Sequence, residues 1–207
     1  MRRFGVLGIL LIVVACPTAA VSVGGSLLAI ASSMSYVNEI IGTYEDSAGV
    51  EVGSLHTGLG ACIDVGLVDV IGAIDGVLAI RSGSVSIHDE TREENVEIEA
   101  GFLGVAVGAS TEWGPVEVTA DAGIYRGTFE FAAVRYVGLT GWAPGASIGV
   151  QYTLALSRQL SAGVGAQLQW VAFYQMKDSS GQTFRARGTP FVDFTGLCVS
   201  IGLEWTL

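Results

Sequence analysis

The segment Gly145-Ala146-Ser147-Ile148-Gly149 carries the spacing of a nucleophile elbow, in which a serine sits on a sharp strand-to-helix turn and is served by a histidine further along the chain. Both histidines, His56 and His88, precede Ser147, and the surrounding residues alternate as a glycine-rich strand does. Ser54 and His56 offer a second chemistry, a serine nucleophile with a histidine base acting on a lipid ester. On an extended strand, side chains two residues apart stand about 7 Å from each other, too far for the direct hydrogen bond that pair needs. The alternation instead places both on the polar side of their strand. His88, beside Asp89 and Glu90, reads as exposed surface. Neither a zinc-protease, C-x-x-C, P-loop nor calcium-loop spacing occurs, so no catalytic residue, cofactor or metal is expected.

Arg81 is the lone basic residue on the polar parity of the well-patterned strands, where Asp64, Asp75, Glu117, Asp121 and Glu204 also fall. A guanidinium stays charged in a narrow interior and must find an acceptor. The expected network comprises Ser54, His56, Asp64, Asp75, Arg81, Asp121 and Tyr125, with Ser54 opposite Arg81 and Gly60 opposite Asp75. Cys62 and Cys198 share the inward parity but are separated by a strand, about 10 Å, so two free thiols are expected.

These residues need a scaffold, and composition restricts it. Of 207 residues, 50% are hydrophobic, 14% are charged and 29 are glycine; Lys plus Arg total 10 against 20 Asp plus Glu. A net charge of −10 excludes nucleic acid as a partner, and the hydrophobicity excludes a disordered chain. The mean hydropathy of +0.54 is high for a soluble domain. Met1-Arg2-Arg3 followed by apolar Phe4 to Ala15 reads as an export signal. Three readings stay open: cleavage after Ala20, lipoprotein processing before Cys16, or an uncleaved spanning helix. Residues 21–207 then form one domain.

From residue 50 the chain alternates with period two. Ile148, Val150, Tyr152 and Leu154 lie on one parity, as do Leu160, Val164, Leu168 and Trp170, and finally Val199, Ile201, Leu203 and Trp205. Earlier strands are read at 21–36, 50–66, 69–84, 97–113 and 116–131, making eight. The first is ambiguous, because Val21 and Val23 oppose Leu28 and Ile30 in parity; a bulge near Gly24-Gly25 would reconcile them. Connections alternate long and tight, with long ones at 37–49, 85–96, 137–145 and 177–193 and tight ones at 67–68, 114–115 and 157–159. Paired residue numbers sum to 135 across the first tight turn and to 316 across the last. Short turns on one rim and long loops on the other mark a transmembrane barrel. The second face is mostly Gly, Ser, Ala and Gln, which suits a packed lumen, whereas a soluble barrel would need a charged exterior. The fold class read here is all-β, an eight-stranded antiparallel transmembrane up-and-down β-barrel. Trp113 and Trp205 should mark its inner interfacial belt, and Trp170 and Tyr174 the outer.

In signal, strand count, loop alternation and alternating C-terminal strand the chain resembles the small outer-membrane barrels of the OmpA and OmpX type. Val199 to Leu207 resembles that group's C-terminal assembly signal, although the last residue is Leu207 and the aromatic is Trp205, where the group ends in an aromatic. The resemblance implies the outer membrane of a diderm bacterium and recognition by the barrel-insertion machinery. The role expected is structural or surface-interacting and non-enzymatic. The partners expected are outer-membrane lipid and a surface ligand at the loops, and the barrel is expected to be a monomer. The alternatives are a membrane-embedded lipid-modifying enzyme and a narrow gated channel.

Overall fold

The computed structural model describes residues 21–49, 52–71, 74–89, 96–132 and 136–207. The leader, Met1 to Ala20 with Cys16, lies outside them, as do Glu90, Arg92, Glu93 and Glu94 of the acidic loop. Eight long strands run in order: β1 (Val21–Ser32), β2 (Thr57–Ile71), β3 (Ile74–Asp89), β4 (Val96–Trp113), β5 (Val116–Ala132), β6 (Val137–Ala155), β7 (Leu160–Phe173) and β11 (Gly196–Thr206). Each pairs antiparallel with its sequence neighbour, and β11 pairs back onto β1. The short strands β8 (Gln175–Lys177), β9 (Thr183–Arg185) and β10 (Val192–Asp193) lie between β7 and β11, and one helix, α1 (Ser35–Ala48), follows β1.

Register fixes the shape. Paired residues lead from Ser22 through Gly66, Val77, Gly108, Asp121, Ser147, Gln169 and Gly196 to Ser32. The path thus returns to β1 ten residues higher (32 − 22), which is the shear of the barrel. Ten residues rising about 3.3 Å each, against eight strands about 4.8 Å apart, give a tilt of about 40° and a radius of about 8 Å. Outward side chains are apolar along the wall: Leu59 is 75% exposed and Ile201 65%, with Ile63, Val107, Ile124 and Ile148 beside them. With every ladder closed and its exterior apolar, the barrel spans a membrane. Both termini of the barrel lie at the short-turn rim, where Thr206 donates to Gln159 and Leu207 to Val21.

Several expectations change. The turn at Leu67-Val68 is absent: β2 continues to Ile71, with Leu67 opposite Gly76. The alternation continues past it without a turn residue, so parity survives while the register moves. The 157–159 turn sets Gly149 opposite Gln167, the register its length predicts. β1 has no bulge and pairs without interruption on both sides. Its parity conflict has another cause, because Leu28 and Ile30 point inward. Phe129 does the same on β5, while Arg126 and Glu130 face out. The supposed loop at 137–145 is the first half of β6. Pro144 obscured it, and it is tolerated because it stands one residue beyond the last β6–β7 pair, Gly145 with Val171. The polar stretch 37–49 is largely α1, whose Val37, Ile40, Ile41 and Tyr44 recur at helical spacing.

Exterior apolarity is directly testable. Ile201→Arg, midway along β11 between Leu27 and Val164, should destabilise the barrel in lipid vesicles by about 2–4 kcal/mol. Thr140→Arg, near the loop rim, should cost about 1 kcal/mol or less in the same urea titration.

Candidate functional site: a buried ion pair across the lumen

Arg81 projects inward from β3 and is 5% exposed. Its Nη1 donates to Asp121 Oδ1 at 3.0 Å and to Ser147 Oγ at 2.6 Å, and its Nη2 donates to Asp121 Oδ2 at 2.5 Å. Ser147 Oγ in turn donates to Asp121 Oδ2 at 2.9 Å. This fork-on-carboxylate geometry is the strong form of the ion pair, and it ties β3 across the lumen to β5 and β6. Tyr125, fully buried, lies against the backbone of Gly104: a Cβ there would stand 2.1 Å from its ring. Glycine is thus required at 104 for close approach, and the phenol ring is seated beside the guanidinium. The Arg81 Nε and the Tyr125 hydroxyl are buried without a hydrogen-bond partner among the described residues.

The pair divides two unlike halves. Toward the short turns, Asp64, Asp75, Glu112, Glu117 and Glu204 line a cavity of about 340 Å³ that reaches Arg81 and Asp121. Toward the loops the lumen is apolar and filled. Phe102 meets Tyr125 and Phe194 edge-on at 5.8 and 4.7 Å, and Phe129 meets Phe191 at 5.7 Å. Ile30, Ile98, Phe173 and Met176 complete the packing, and Met34, Val37, Ile41 and Leu55 of the α1 region close it from above. Gln169, 1% exposed, donates Nε2 to the Phe194 carbonyl at 3.2 Å and pins that plug to β7.

The lid is held by polar contacts at its margin. Asn38 donates to the Leu55 carbonyl at 3.0 Å and accepts from the Leu55 amide at 2.8 Å. Glu45 Oε1 accepts from the amides of Val52 and Gly53 at 2.5 and 2.8 Å. Those two amides hold the Glu45 carboxyl below its ordinary pKa. Met34, at φ 41°, is the one non-glycine residue in the left-handed region among the described residues, and its 1% exposure shows what offsets that strain.

Of the residues singled out from sequence, Arg81, Asp121 and Tyr125 meet in the lumen, and Asp64 and Asp75 line the cavity below them. Ser54 and His56 do not belong to this network. They lie exposed in the segment between Val52 and Thr57, which is not a strand, and the residue opposite Arg81 is Cys62. Freed from strand geometry, Ser54 Oγ and His56 Nε2 stand 2.8 Å apart, so the distance argument against that pair fails. In sequence Ser147 stands out only through the Gly145–Gly149 spacing, and its strand context and the absence of a later histidine argue against a nucleophile. Its parity puts it inside, and it is the third member of the site. Cys62 and Cys198 are free and buried. Trp113, Trp170, Tyr174 and Trp205 all point outward.

No family model and no curated protein sequence matches the chain. Solved structures do. A major outer membrane protein from Thermus thermophilus superposes with a TM-score of 0.53 at 12% identity, covering 92% of this chain and 100% of that one. Ail, the attachment invasion locus protein of Yersinia pestis, solved with the heparin analogue sucrose octasulfate, superposes at 0.52 and 7% identity, covering 91% and 97%. The fold is that of the small outer-membrane barrels. Its closed ladder and lipid-facing wall place this chain in an outer membrane.

Two outcomes follow from the site. Arg81→Leu leaves the Asp121 carboxylate buried without its cation and should lower barrel stability by about 3–5 kcal/mol in micelle unfolding. In the lid, the lowered Glu45 pKa means that its contribution is present above the ordinary glutamate pKa of 4.5 and is lost as pH falls through the depressed folded value. Hydrogen-exchange protection of the Val52 and Gly53 amides should therefore drop below about pH 4.5, and Glu45→Gln should remove that pH dependence.

Proposed function

We propose that this is a non-enzymatic, monomeric outer-membrane scaffold that carries loops and α1 at the cell surface. Residues 1–20 are its export signal, and the stretch Val199 to Leu207, most of which lies in β11, is its handle for the insertion machinery. Trp113 and Trp205 anchor the inner interface, while Trp170 and Tyr174 anchor the outer. Arg81, Asp121, Ser147 and Tyr125, with Asp64 and Asp75 beneath, form the internal brace that keeps the presenting end rigid.

One observation carries this reading: the loop half of the lumen is filled by aromatic side chains and capped by α1. Solute passage would have to displace both, which weighs against the gated channel. The surface partner remains a matter of loop chemistry. Ail carries a polyanionic sugar analogue, but the acidic run Asp89 to Glu99 here would repel one, so a cationic surface ligand suits this chain better. The lipid-modifying enzyme draws on the Ser54–His56 contact alone. Both residues are solvent-exposed, whereas acyl transfer uses a water-excluded site with oriented donors.

Folded protein in lipid vesicles separates the three readings. The scaffold reading predicts neither ion flux nor lipid turnover above empty vesicles. Sustained conductance altered by Arg81→Ala would establish the channel instead, and lipid turnover abolished by His56→Ala the enzyme.

A further inference from the structure

Arg126 sits on the lipid-facing wall. It points outward from β5 between Leu103 on β4 and Trp142 on β6, which are 58% and 68% exposed, and Ile124 follows it on the same face. Among the described residues it has neither a hydrogen bond nor an ion pair. A guanidinium carries five donors and no acceptor, so against hydrocarbon it requires an anion. Its height names where that anion comes from. Arg126 is ten residues along β5 from Val116, which pairs with Trp113 at the short-turn rim. At about 3.3 Å per residue and about 40° of tilt this is about 25 Å, the height of a barrel's apolar band, so the guanidinium reaches the far plane of lipid phosphates.

A groove leads down from it. Arg126 pairs with Leu103, Leu103 with Ser82 and Ser82 with Ala61; one step nearer the loops, Thr128 pairs with Gly101, Gly101 with Ser84 and Ser84 with Leu59. The outer wall is concave along these two rows because Gly101, Ser84 and Ala61 add little bulk between Leu59 and Leu103. Each strand from β5 toward β2 descends by about 3 Å, since the register climbs ten residues over eight strands. The groove therefore starts at Arg126 and drops about 9 Å into the apolar band, the course of an acyl chain hanging from a phosphate.

We propose that Arg126 and this groove hold one glycerophospholipid, with its phosphodiester on the guanidinium and one acyl chain along Gly101, Ser84 and Ala61. Charge selects this occupant. Glu99 at the groove's upper margin faces Glu130 across the β4–β5 ladder, so a single cation stands below two carboxylates. That balance accepts one monoanionic phosphodiester and opposes a glycolipid bearing several phosphates. The site rests on the barrel spanning a membrane and is independent of its surface role.

Native mass spectrometry of the folded chain released from detergent tests the site, with phosphatidylglycerol, a diacylglycerol of the same chains and a bis-phosphorylated glycolipid as probes. The wild type should retain phosphatidylglycerol in preference to both others. Arg126→Gln should reduce that retention about tenfold or more, as loss of a charged hydrogen bond does. Gly101→Leu should reduce it with the charge intact. Thr128 Oγ1 lies 3.1 Å from the Cβ position at 101, so Ser84→Leu supplies a second groove-filling variant should that one fail to fold. Equal retention by wild type and Arg126→Gln, equal retention of the diacylglycerol, or preference for the bis-phosphorylated glycolipid would each overturn the proposal. None of these results would alter ion flux or lipid turnover in vesicles, so the scaffold reading stands or falls separately.

Discussion

Hydrocarbon offers a backbone amide no partner, so the chain can cross it only as a ladder that closes on itself. The other features of this molecule descend from that closure. Eight strands with a shear of ten make a barrel about 8 Å in radius at the backbone, whose lumen is too narrow for a folded insert yet too wide to leave unpacked. The chain fills it in two ways. Acidic and small polar residues line the half near the short turns, aromatic residues fill the half near the loops, and Arg81 with Asp121 and Ser147 stands at the seam.

That division explains features that otherwise look unrelated. Gly104 has no side chain because the Tyr125 ring occupies the space. Met34 takes a left-handed backbone because it brings α1 across the barrel mouth and is itself buried there. Phe191 and Phe194 enter the lumen because β10 pairs with the end of β7 and turns the incoming loop inward. The presenting surface is therefore attached to a packed plug, and a change in the loops need not propagate past the ion pair.

Much of this was legible in the sequence, for a physical reason: lipid outside and side chains inside impose alternation on every strand. Parity located both faces, and loop alternation told the two rims apart, although two of the connections it used, 67–68 and 137–145, lie within strands. Parity is indifferent to shifts of two residues, however, and the β2–β3 register was missed because no turn residue interrupts the alternation at Leu67. Where the lumen turns apolar the rule loses contrast, as at Leu28, Ile30 and Phe129, so β1 looked bulged. α1 was readable from Val37, Ile41 and Tyr44, but Asn38, Glu39, Gly42 and Glu45 gave the stretch the composition of a loop. The partner of Arg81 was open in sequence because it comes from across the barrel, a contact that no neighbouring-strand register specifies.

The central claim is that a direct ion pair across the lumen, and not the polarity of each residue alone, joins the two halves. A double-mutant cycle with Arg81→Leu, Asp121→Leu and the combined variant, read by reversible unfolding in micelles or vesicles, measures that coupling. The structure predicts a favourable coupling of about 2 kcal/mol or more, with the double variant recovering much of what either single change loses. Additivity within about 0.5 kcal/mol would contradict it and leave Arg81 and Asp121 as separate occupants of the same lumen.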